Sequence, residues 1–322
     1  MKSPDFWQDR GAPLGYLLAP LGWAYAGVTA WRLAHGNPWK APVPVICVGN
    51  LTAGGAGKTP IVGDLTRRLR AAGRNAGILS RGYGGTALGP LKVDPALHDA
   101  ALVGDEPLLL AQGAPCWVAK DRAAGAKAMV ADGVDVIVMD DGLQNPSLVQ
   151  DLAIIVADGA TGFGNGRAIP AGPMRESIEA GIERARALIV SGDDRSALIE
   201  RFSNRIKILQ TSVTIREPLP SAPLLAFAGI GRPEKFQATL AEAGAKIAAF
   251  QAFADHHAFT SAELSALSNR AGELGAQLVT TEKDWVRLNA EWRSRIKPIA
   301  IDIVWNDEAG IAALLAGATG RG

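Results

Sequence analysis

The spacing of apolar residues divides the chain into an uncharged N-terminal stretch and a long region of alternating strands and helices. Residues 11–31 carry no charged side chain, and their large apolar residues recur at the spacing of one helix face: Leu14, Leu17, Leu18, Leu21, Tyr25 and Val28. From residue 43, apolar runs of strand length alternate with helical stretches. That alternation predicts an α/β fold, a mostly parallel sheet with helices on both faces.

The apolar runs that predict strands fall into two groups, separated by a proline-rich segment at 218–223. The first group is 44–48, 76–79, 134–139, 152–157, 187–190 and 205–216. The second group is 224–228, 246–250, 277–280 and 298–303, and Thr260 with Glu263 predicts a capping box for a helix within it. Because proline-rich segments are stiff connectors, we expect a core unit at 41–216 and a smaller α/β unit at 217–322.

The N-terminal segment at 1–40 has the composition of a helix at a membrane surface. Four of the eight tryptophans fall in it, and Trp and Tyr concentrate at the level of lipid headgroups. Arg32, His35 and Lys40 follow the apolar run and would face anionic lipid. Prolines and glycines interrupt the run, which disfavours a spanning helix, and a helix packed on the protein's own core is a further alternative. We expect a membrane-associating segment, peripheral or singly anchored.

A glycine-rich loop at 49–59 lies between the first predicted strand and a predicted helix. Its glycines let backbone N–H groups curl around phosphate oxygens, and the helix N-terminus adds positive charge. Lys58 would reach the β- and γ-phosphates, and Thr59 would ligate Mg²⁺. Thr52 stands where the strict motif has glycine, and an ordinary glycine-rich turn is the alternative. The residues predicted to contact ATP are Thr52, Ala53, Gly54, Gly55, Ala56, Gly57, Lys58, Thr59 and Pro60.

Acidic pairs occur at two further places. Asp140 and Asp141 follow the predicted strand at 134–139, and such a pair forms the second half of a Mg²⁺–triphosphate site in chains with a phosphate-binding loop. A solvated turn is the alternative. Asp105 and Glu106, between a glycine and a proline, are by themselves more typical of a helix N-terminus.

Three other polar segments follow predicted strands. Residues 80–85, which include Arg81, form either a loop facing phosphate or substrate, or a plain turn. Asp255 precedes His256 and His257, and an aspartate can orient a histidine and make it more basic, although a capping or core histidine fits equally. Residues 281–284 are typical of a solvated turn.

Composition excludes several classes of protein. The 322 residues are 48% hydrophobic and 20% charged, as in globular chains, and a net charge of +1 gives no field that would recruit nucleic acid. Cys47 and Cys116 show no paired spacing, which indicates a reducing compartment. Four histidines leave little material for a structural zinc site. Asp5, Asp9 and Arg10 precede the apolar run, so we expect no cleaved signal peptide.

Taken in order, these strings resemble one family closely, the tetraacyldisaccharide 4′-kinases, the lipid A kinases of Gram-negative bacteria. The matching strings span almost the whole chain: Val48-Gly49-Asn50, Gly54-Gly55-Ala56-Gly57-Lys58-Thr59-Pro60, Ser80-Arg81-Gly82-Tyr83-Gly84-Gly85, Gly104-Asp105-Glu106-Pro107-Leu108, Asp140-Asp141-Gly142-Leu143-Gln144, Phe163-Gly164-Asn165-Gly166, Pro170-Ala171-Gly172-Pro173, Arg175-Glu176, Asp255-His256 and Thr281-Glu282-Lys283-Asp284. The resemblance implies a P-loop NTPase-type fold in which ATP phosphorylates the 4′-hydroxyl of a tetra-acylated glucosamine disaccharide 1-phosphate, giving lipid IVA.

The resemblance also implies roles for single residues. Asp105 resembles the family's general base, and His256 resembles the histidine that assists it. A sugar hydroxyl is a poor acid, so we expect this pair to be tuned toward neutral pH. The implied catalytic residues are Asp105, His256, Lys58, Asp140 and Asp141; the implied metal ligands are Thr59, Glu106, Asp140 and Asp141; and the implied substrate-binding residues are Arg81, Asn165, Arg167 and Glu176. Asn145 stands where family members usually carry histidine.

The implied partners are the lipid disaccharide and the cytoplasmic face of the inner membrane, without nucleic acid or an obligate protein partner. Three other functions share a phosphate-binding loop. A P-loop ATPase switch has lysine directly before its glycine pair, where this chain has Ala53. A soluble kinase of a small sugar or nucleoside would not need residues 11–31. A nucleotide-gated membrane scaffold would bind ATP without forming a phosphorylated product.

Overall fold

The computed structural model describes residues 4–320, which form two sheets, their flanking helices and a pair of N-terminal helices. The strands are β1 (Val45–Gly49), β2 (Ala76–Ser80), β3 (Leu91–Lys92), β4 (Cys116–Val118), β5 (Val136–Asp140), β6 (Leu152–Asp158), β7 (Ala187–Ser191), β8 (Lys207–Ile215), β9 (Leu224–Ala228), β10 (Ile247–Ala252), β11 (Gln277–Thr281), β12 (Lys297–Ile299) and β13 (Ile301–Trp305). The α-helices are α1 (Pro13–Leu17), α2 (Ala19–Ala34), α3 (Lys58–Ala71), α4 (Ala100–Val103), α5 (Asp105–Leu110), α6 (Arg122–Ala131), α7 (Ile178–Arg184), α8 (Leu198–Phe202), α9 (Pro233–Glu242), α10 (Ser261–Glu273), α11 (Glu282–Trp285), α12 (Ala290–Arg295) and α13 (Glu308–Ala318).

The larger sheet has nine strands in the order β13-β8-β7-β6-β1-β5-β2-β4-β3. Strands β8 through β4 pair in parallel, and only the two edge strands, β13 and β3, pair antiparallel. Strands β1, β2, β5 and β6 are buried along their whole length because helices cover both faces of the sheet. The predicted fold, a mostly parallel sheet between two helical layers, is confirmed.

The smaller sheet has four parallel strands in the order β10-β9-β11-β12. Helices α9 and α10 cover it, each burying an apolar stripe. The predicted capping box is present at the start of α10, where Thr260 and Glu263 satisfy each other's backbone N–H groups. This sheet is the core of the predicted C-terminal unit.

The end of the chain differs from the prediction, which placed one strand at 298–303 within the smaller unit. The structure has two strands there, and β13 leaves the smaller sheet to pair antiparallel with β8 of the larger one. The tryptophan at its end, Trp305, is buried and donates from Nε1 to Asp64 of α3 at 2.8 Å. The apolar run continues through both strands, so it gave no sign of the crossing. The division at 216/217 remains a proposal, with 301–318 counted in the larger unit.

Helices α1 and α2 dock through their small residues and present their large apolar residues outward. Gly15, Gly22 and Thr29 are the buried positions, and a Cβ atom on Gly22 would lie 2.7 Å from the carbonyl oxygen of Ala168. The exposed large residues are Leu14, Tyr16, Leu17, Leu21, Trp23, Tyr25, Val28 and Trp31. A helix packed on a soluble core shows the opposite arrangement. Among the helices of residues 4–320, none has the length and apolar content needed to cross a bilayer.

One buried aspartate ties the smaller unit to the larger sheet. Asp158 is the last residue of β6, and its carboxylate contacts Lys235 and lies 2.8 Å from Nη1 of Arg232. Burial alone would raise the pKa of Asp158, but Lys235 and Arg232 outweigh it and hold the pKa below its ordinary value. The carboxylate is therefore ionised at neutral pH and joins the two units electrostatically.

The seating of α2 predicts opposite outcomes for two glycines of the same helix. Gly22→Ala is expected to destabilise the docked helix by about 1–3 kcal/mol, because the new Cβ would overlap a backbone oxygen. The control Gly27→Ala has open space around its Cβ and is expected to stabilise the helix by about 0.5–1 kcal/mol. Hydrogen exchange of the α2 amides measures both effects. Slower exchange in both variants would contradict this docking.

The Asp158 contact predicts a pH-dependent loss of stability. A carboxyl whose folded-state pKa is lowered stabilises the fold above its unfolded pKa of about 4, and this contribution disappears as pH falls through the folded-state pKa. Asp158→Asn should therefore lower the free energy of unfolding by about 1–2 kcal/mol at pH 7, allowing for the exposure of both cations. Urea unfolding at pH 7 and pH 2 tests this, with the exposed Asp193→Asn as control. An equal loss at both pH values would rule out the electrostatic explanation.

Candidate active site

The glycine-rich loop has the conformation that phosphate binding requires. It leaves β1 and ends at Gly57, which precedes α3 in a left-handed conformation with φ of 80°, and Gly54 has φ of 106°. Both positions favour glycine because a Cβ would be strained there. Thr52 instead forms a β-bridge with Met174, an extended pairing that any residue adopts. The departure from the strict motif therefore falls where glycine is not needed.

Lys58 is the first residue of α3, and hydrogen bonding and charge fix the position of its side chain. Its Nζ donates to Oδ1 of Asn50 at 3.0 Å and lies 3.6 Å from Oδ1 of Asp141. Asn50 is itself buried, and its amide donates to the carbonyl oxygen of Gly54 at 3.2 Å. One asparagine thus fixes both the loop and the lysine, and the positive charge points toward the Asp140–Asp141 pair.

The carboxyl ends of β1, β5 and β2 bring the loop and the carboxylates together. These strands are neighbours, and Val48 of β1 is in register with Asp140, the last residue of β5. Ser80 ends β2 and donates its hydroxyl to Oδ2 of Asp140 at 3.2 Å. Because carboxyl ends of parallel strands meet at one edge, polar residues far apart in sequence converge there.

Asp140 is an unusual carboxyl because it is buried among other acids. Burial and the charges of Glu106 and Asp141 raise its pKa to about 7. Its Oδ1 is buried without a hydrogen-bond partner among the described residues. An orphaned carboxylate oxygen beside a phosphate-binding loop fits a divalent cation, which would compensate the charge that burial disfavours.

Asp141, next in sequence, has the opposite environment. Its backbone is left-handed with φ of 52°, which turns the carboxylate toward Nη1 of Arg175, 2.9 Å from both oxygens. Burial opposes ionisation, but Lys58 and Arg175 outweigh it and hold the pKa of Asp141 below its usual range. Neighbouring aspartates are therefore pushed to different protonation behaviour by their surroundings.

The oxygen ligands near Asp140 are too few for an all-protein metal site but fit a Mg²⁺ site completed by phosphates and water. In the described part of the chain, no three His, Cys, Asp or Glu side chains converge as a metal cluster. Mg²⁺ is commonly held by one or two carboxylates together with substrate phosphates and water. Asp140 and the Thr59 hydroxyl fit that pattern. The other two predicted ligands have basic partners: Glu106 lies 3.0 Å from Nζ of Lys283, and Asp141 lies 2.9 Å from Nη1 of Arg175.

Asp105 begins helix α5 and faces the smaller unit. Gly104 before it has φ of 88°, and a Cβ there would lie 2.5 Å from the carbonyl oxygen of Tyr83, so the loop at 80–85 packs directly against this helix start. Asp105 is only 5% exposed. The Tyr83 ring lies 6.0 Å from that of His256. The 80–85 loop is thus part of the site, although Arg81 itself is exposed.

Three basic side chains from the smaller unit surround the Asp105 carboxylate. Nδ1 of His256 lies 2.9 Å from Oδ2, in close contact but without the alignment of a hydrogen bond, and Lys283 and Arg287 lie at 3.8 and 3.5 Å. Burial would raise the pKa of Asp105, but His256, Lys283 and Arg287 together lower it below its ordinary value. For Asp105 the expected tuning of the pKa toward neutral pH is therefore wrong, because these basic neighbours outweigh burial.

The segment at 281–284 is not the solvated turn that its charges indicated. Thr281 caps α11, and Asp284 is completely buried, accepting from the Thr281 hydroxyl at 2.7 Å and the Gly229 amide at 3.1 Å. Burial raises the pKa of Asp284, although Arg287 counteracts it. Burial also opposes the charge on Lys283, but Glu106 and Asp105 raise its pKa. These charged residues face the inter-unit junction, which their composition did not reveal.

The two adjacent histidines have different surroundings. His256 has a left-handed backbone with φ of 58° and turns toward Asp105. His257 stacks on Phe253 with ring centroids 4.8 Å apart and contacts Glu263 through Nε2 at 3.0 Å. His257 thus belongs to the fold of the smaller unit, and His256 is the histidine at the site.

A cavity of about 370 Å³ lies between the N-terminal helices and residues 166–177. Two predicted substrate residues, Arg167 and Glu176, line it beside Tyr16 and Trp23. The Arg167 guanidinium carbon lies 4.0 Å from the centroid of the Tyr16 ring. Polar groups and exposed aromatic rings therefore share one cavity at the base of α1 and α2.

The other contacts of these residues are structural. Asn165 is buried, and its amide donates to the carbonyl oxygens of Phe6 and Ala171 at 3.2 and 2.9 Å, which holds the N-terminal segment in place. The Glu176 carboxylate accepts from Gln144 at 2.8 Å, and Gln144 also donates to the backbone of the phosphate-binding loop. Asn145 accepts from Ser147 in a local turn.

The structure adds residues that the sequence prediction did not assign to the site: Asn50, Ser80, Arg122, Arg175, Lys283 and Arg287. Most of them stand within or next to the strings that match the family, so their closeness in sequence to assigned residues could have predicted their place in the site. Arg122 lies outside these strings. It is buried, its Nε has no partner among the described residues, and burial lowers its pKa to about 10 while Asp140 opposes that shift. A single arginine after a strand gave no signal of that burial.

The chain is similar over most of its length to proteins of one family. The family model described as Tetraacyldisaccharide-1-P 4′-kinase matches residues 14–319. The tetraacyldisaccharide 4′-kinase of Rhodospirillum centenum is 51% identical over 325 residues, covering 98% of this chain and 96% of that protein. The enzyme of the same name from Gluconacetobacter diazotrophicus is 49% identical over 320 residues, covering 98% of this chain and 97% of that protein.

A solved structure shares the whole architecture. The crystal structure of LpxK from Aquifex aeolicus in complex with ATP superposes with a TM-score of 0.78 at 26% identity, covering 95% of this chain and 99% of that one. The family match extends over nearly all of the described residues, and the two relatives named above share about half of their residues with this chain. The chain belongs to the tetraacyldisaccharide 4′-kinase family.

Proposed function

We propose that this protein is an ATP-dependent kinase that phosphorylates the 4′-hydroxyl of a tetra-acylated glucosamine disaccharide 1-phosphate, giving lipid IVA. The observation that carries the proposal is the position of Asp105. Its carboxylate contacts His256 of the smaller unit, and the next residue, Glu106, is close enough to Asp140 beside the phosphate-binding loop to raise its pKa. Family membership and the relative solved in complex with ATP support the donor and the acceptor.

The donor side of the site is the loop at 49–59. Its backbone and the N-terminus of α3 would bind the phosphates of ATP, and Lys58 would neutralise charge on the transferred group. Residues 52–60 keep the ATP-binding role predicted from the sequence. Asn50 supports this role because it holds both the loop and Nζ of Lys58.

The metal side is Asp140, with Thr59 and the bound phosphates completing the ligand set. Mg²⁺ bound there would neutralise negative charge on the phosphates and stabilise the ionised form of Asp140. Asp141, paired with Lys58 and Arg175, would orient the lysine. Glu106 would act nearby, through its contact with Lys283.

The acceptor side is Asp105, which would accept the proton of the attacking hydroxyl. The lowered pKa of Asp105 keeps its carboxylate ionised and ready to accept a proton. His256, in contact with this carboxylate, would assist the proton transfer. Arg167 and Glu176 would contact the sugar headgroup from the cavity beside α1 and α2, and buried Asn165 would hold the adjoining segment in place. Arg81 would contact the substrate from the loop at 80–85.

A lipid substrate explains the outward-facing apolar residues of α1 and α2. Trp23 is 74% exposed and Leu17 is 76% exposed, and six further large apolar side chains of these two helices are also exposed, which makes a concentrated apolar surface. Such a surface would lie in the headgroup layer and lead acyl chains toward the cavity. We therefore propose a peripheral location at the cytoplasmic face of the inner membrane.

Transfer of label from γ-labelled ATP to the disaccharide lipid is expected for the wild-type protein in the presence of Mg²⁺. Asp105→Ala should lower kcat by at least about 10²-fold, because it removes the base, while the Kd for ATP stays nearly unchanged. Asp132→Ala, an exposed aspartate, is the matched control. Near-normal turnover of Asp105→Ala would remove the base assignment, and label released only as inorganic phosphate would favour an ATPase.

Vesicle binding tests the membrane surface separately from catalysis. Replacing Trp23 and Trp31 by serine should abolish flotation with vesicles of anionic phospholipid, because two exposed aromatic anchors are lost. Leu97→Ser is the control, since Leu97 is 79% exposed but lies between β3 and α4. Equal flotation of all three proteins would exclude α1 and α2 as the membrane-binding surface.

A further inference from the structure

The turn that carries His256 is held by one buried guanidinium, that of Arg287. The Arg287 side chain is only 9% exposed. Its Nη1 donates to the carbonyl oxygen of His257 at 3.1 Å, and its Nη2 donates to that of Gly229 at 3.0 Å. The guanidinium therefore binds the main chain at the turn and at the end of β9, the strand beneath it.

His256 needs such support because its backbone is left-handed. A φ of 58° costs a residue with a Cβ roughly 1–2 kcal/mol, and such conformations persist where the surroundings fix them. The amide of His256 donates to the same Gly229 carbonyl oxygen, at 3.1 Å. Arg287 and His256 thus share one acceptor, and displacing the guanidinium would disturb the turn directly.

Arg287 is itself fixed from behind and reaches the base in front. Its Nη2 donates to Oδ1 of the completely buried Asp284 at 2.8 Å. Its Nε lies 3.5 Å from Oδ2 of Asp105 in the larger unit. One rigid side chain therefore contacts the histidine turn, the smaller unit's core and the base carboxylate.

We propose that Arg287 is a positioning residue for phosphoryl transfer, whose guanidinium holds His256 in the conformation that brings Nδ1 to Asp105. The inference rests on the kinase function proposed above. Charge alone does not account for the arrangement, since lysine supplies equal charge from a single point, whereas the planar guanidinium binds Gly229, His257 and Asp284 at once.

A double-mutant cycle tests the inference. Arg287→Lys should lower kcat by about 10²-fold through misplacement of His256, with the Kd for ATP nearly unchanged. His256→Ala should lower kcat by a similar or larger factor. In the His256→Ala background, Arg287→Lys should cost less than about 3-fold, because the group it positions is already absent. Should Arg287→Lys not fold, Arg287→Gln, with a planar amide, serves in the same cycle.

A second measurement is independent of activity. Amides at 254–257 should exchange with solvent faster in Arg287→Lys than in the wild type. The control is Arg295→Lys: Arg295 belongs to the same unit, is exposed, and pairs with Glu291 within α12 at 3.1 Å, so this change should leave kcat and exchange at 254–257 unaltered.

The outcomes separate the two proposals. Multiplicative losses in the double mutant, or unchanged exchange at 254–257, would overturn the positioning role while leaving the kinase function intact. Absence of transfer to lipid by the wild-type protein would overturn the kinase function and this inference together. A kcat loss in Arg295→Lys equal to that in Arg287→Lys would reduce the effect to general destabilisation and also overturn the inference.

Discussion

A buried carboxylate requires positive partners, and Asp105 obtains them from the other unit of the chain. Removing such a group from water disfavours its charged form unless nearby cations compensate. That compensation comes from three basic residues of the smaller unit, His256, Lys283 and Arg287. The charge on Asp105 therefore depends on the docking of the two units, which makes the site and the tertiary arrangement one electrostatic problem.

The sheets explain how these groups meet. In each unit the polar residues follow the carboxyl ends of parallel strands, the edge where α/β sheets bind ligands. Strands β1, β5 and β2 present the phosphate loop, Asp140 and Ser80, while β9, β10 and β11 lead to Gly229, His256 and Lys283. Asp105, at the start of α5, contacts residues that follow strands of the smaller sheet. Strand β13, which follows the smaller sheet in the chain, returns to pair with β8 of the larger one.

Surface chemistry at the N-terminus follows a different rule. Small residues of α1 and α2 contact the larger unit, so the backbones approach closely and the large apolar side chains remain outside. This inversion is unfavourable in water and favourable in a lipid headgroup layer. It places the exposed apolar surface of α1 and α2 next to the cavity lined by Arg167 and Glu176.

The sequence by itself determined the α/β class, the glycine-rich loop at 49–59 and the acidic pair at the end of β5, because strand periodicity and glycine–lysine chemistry are local properties. The family resemblance supplied the pairing of Asp105 with His256, 151 positions apart by number. Only the tertiary structure decided that β13 crosses to the larger sheet, that Asp284 is buried, and that cations lower the pKa of Asp105. Burial and charge proximity depend on contacts between distant segments, and no local pattern of residues encodes them.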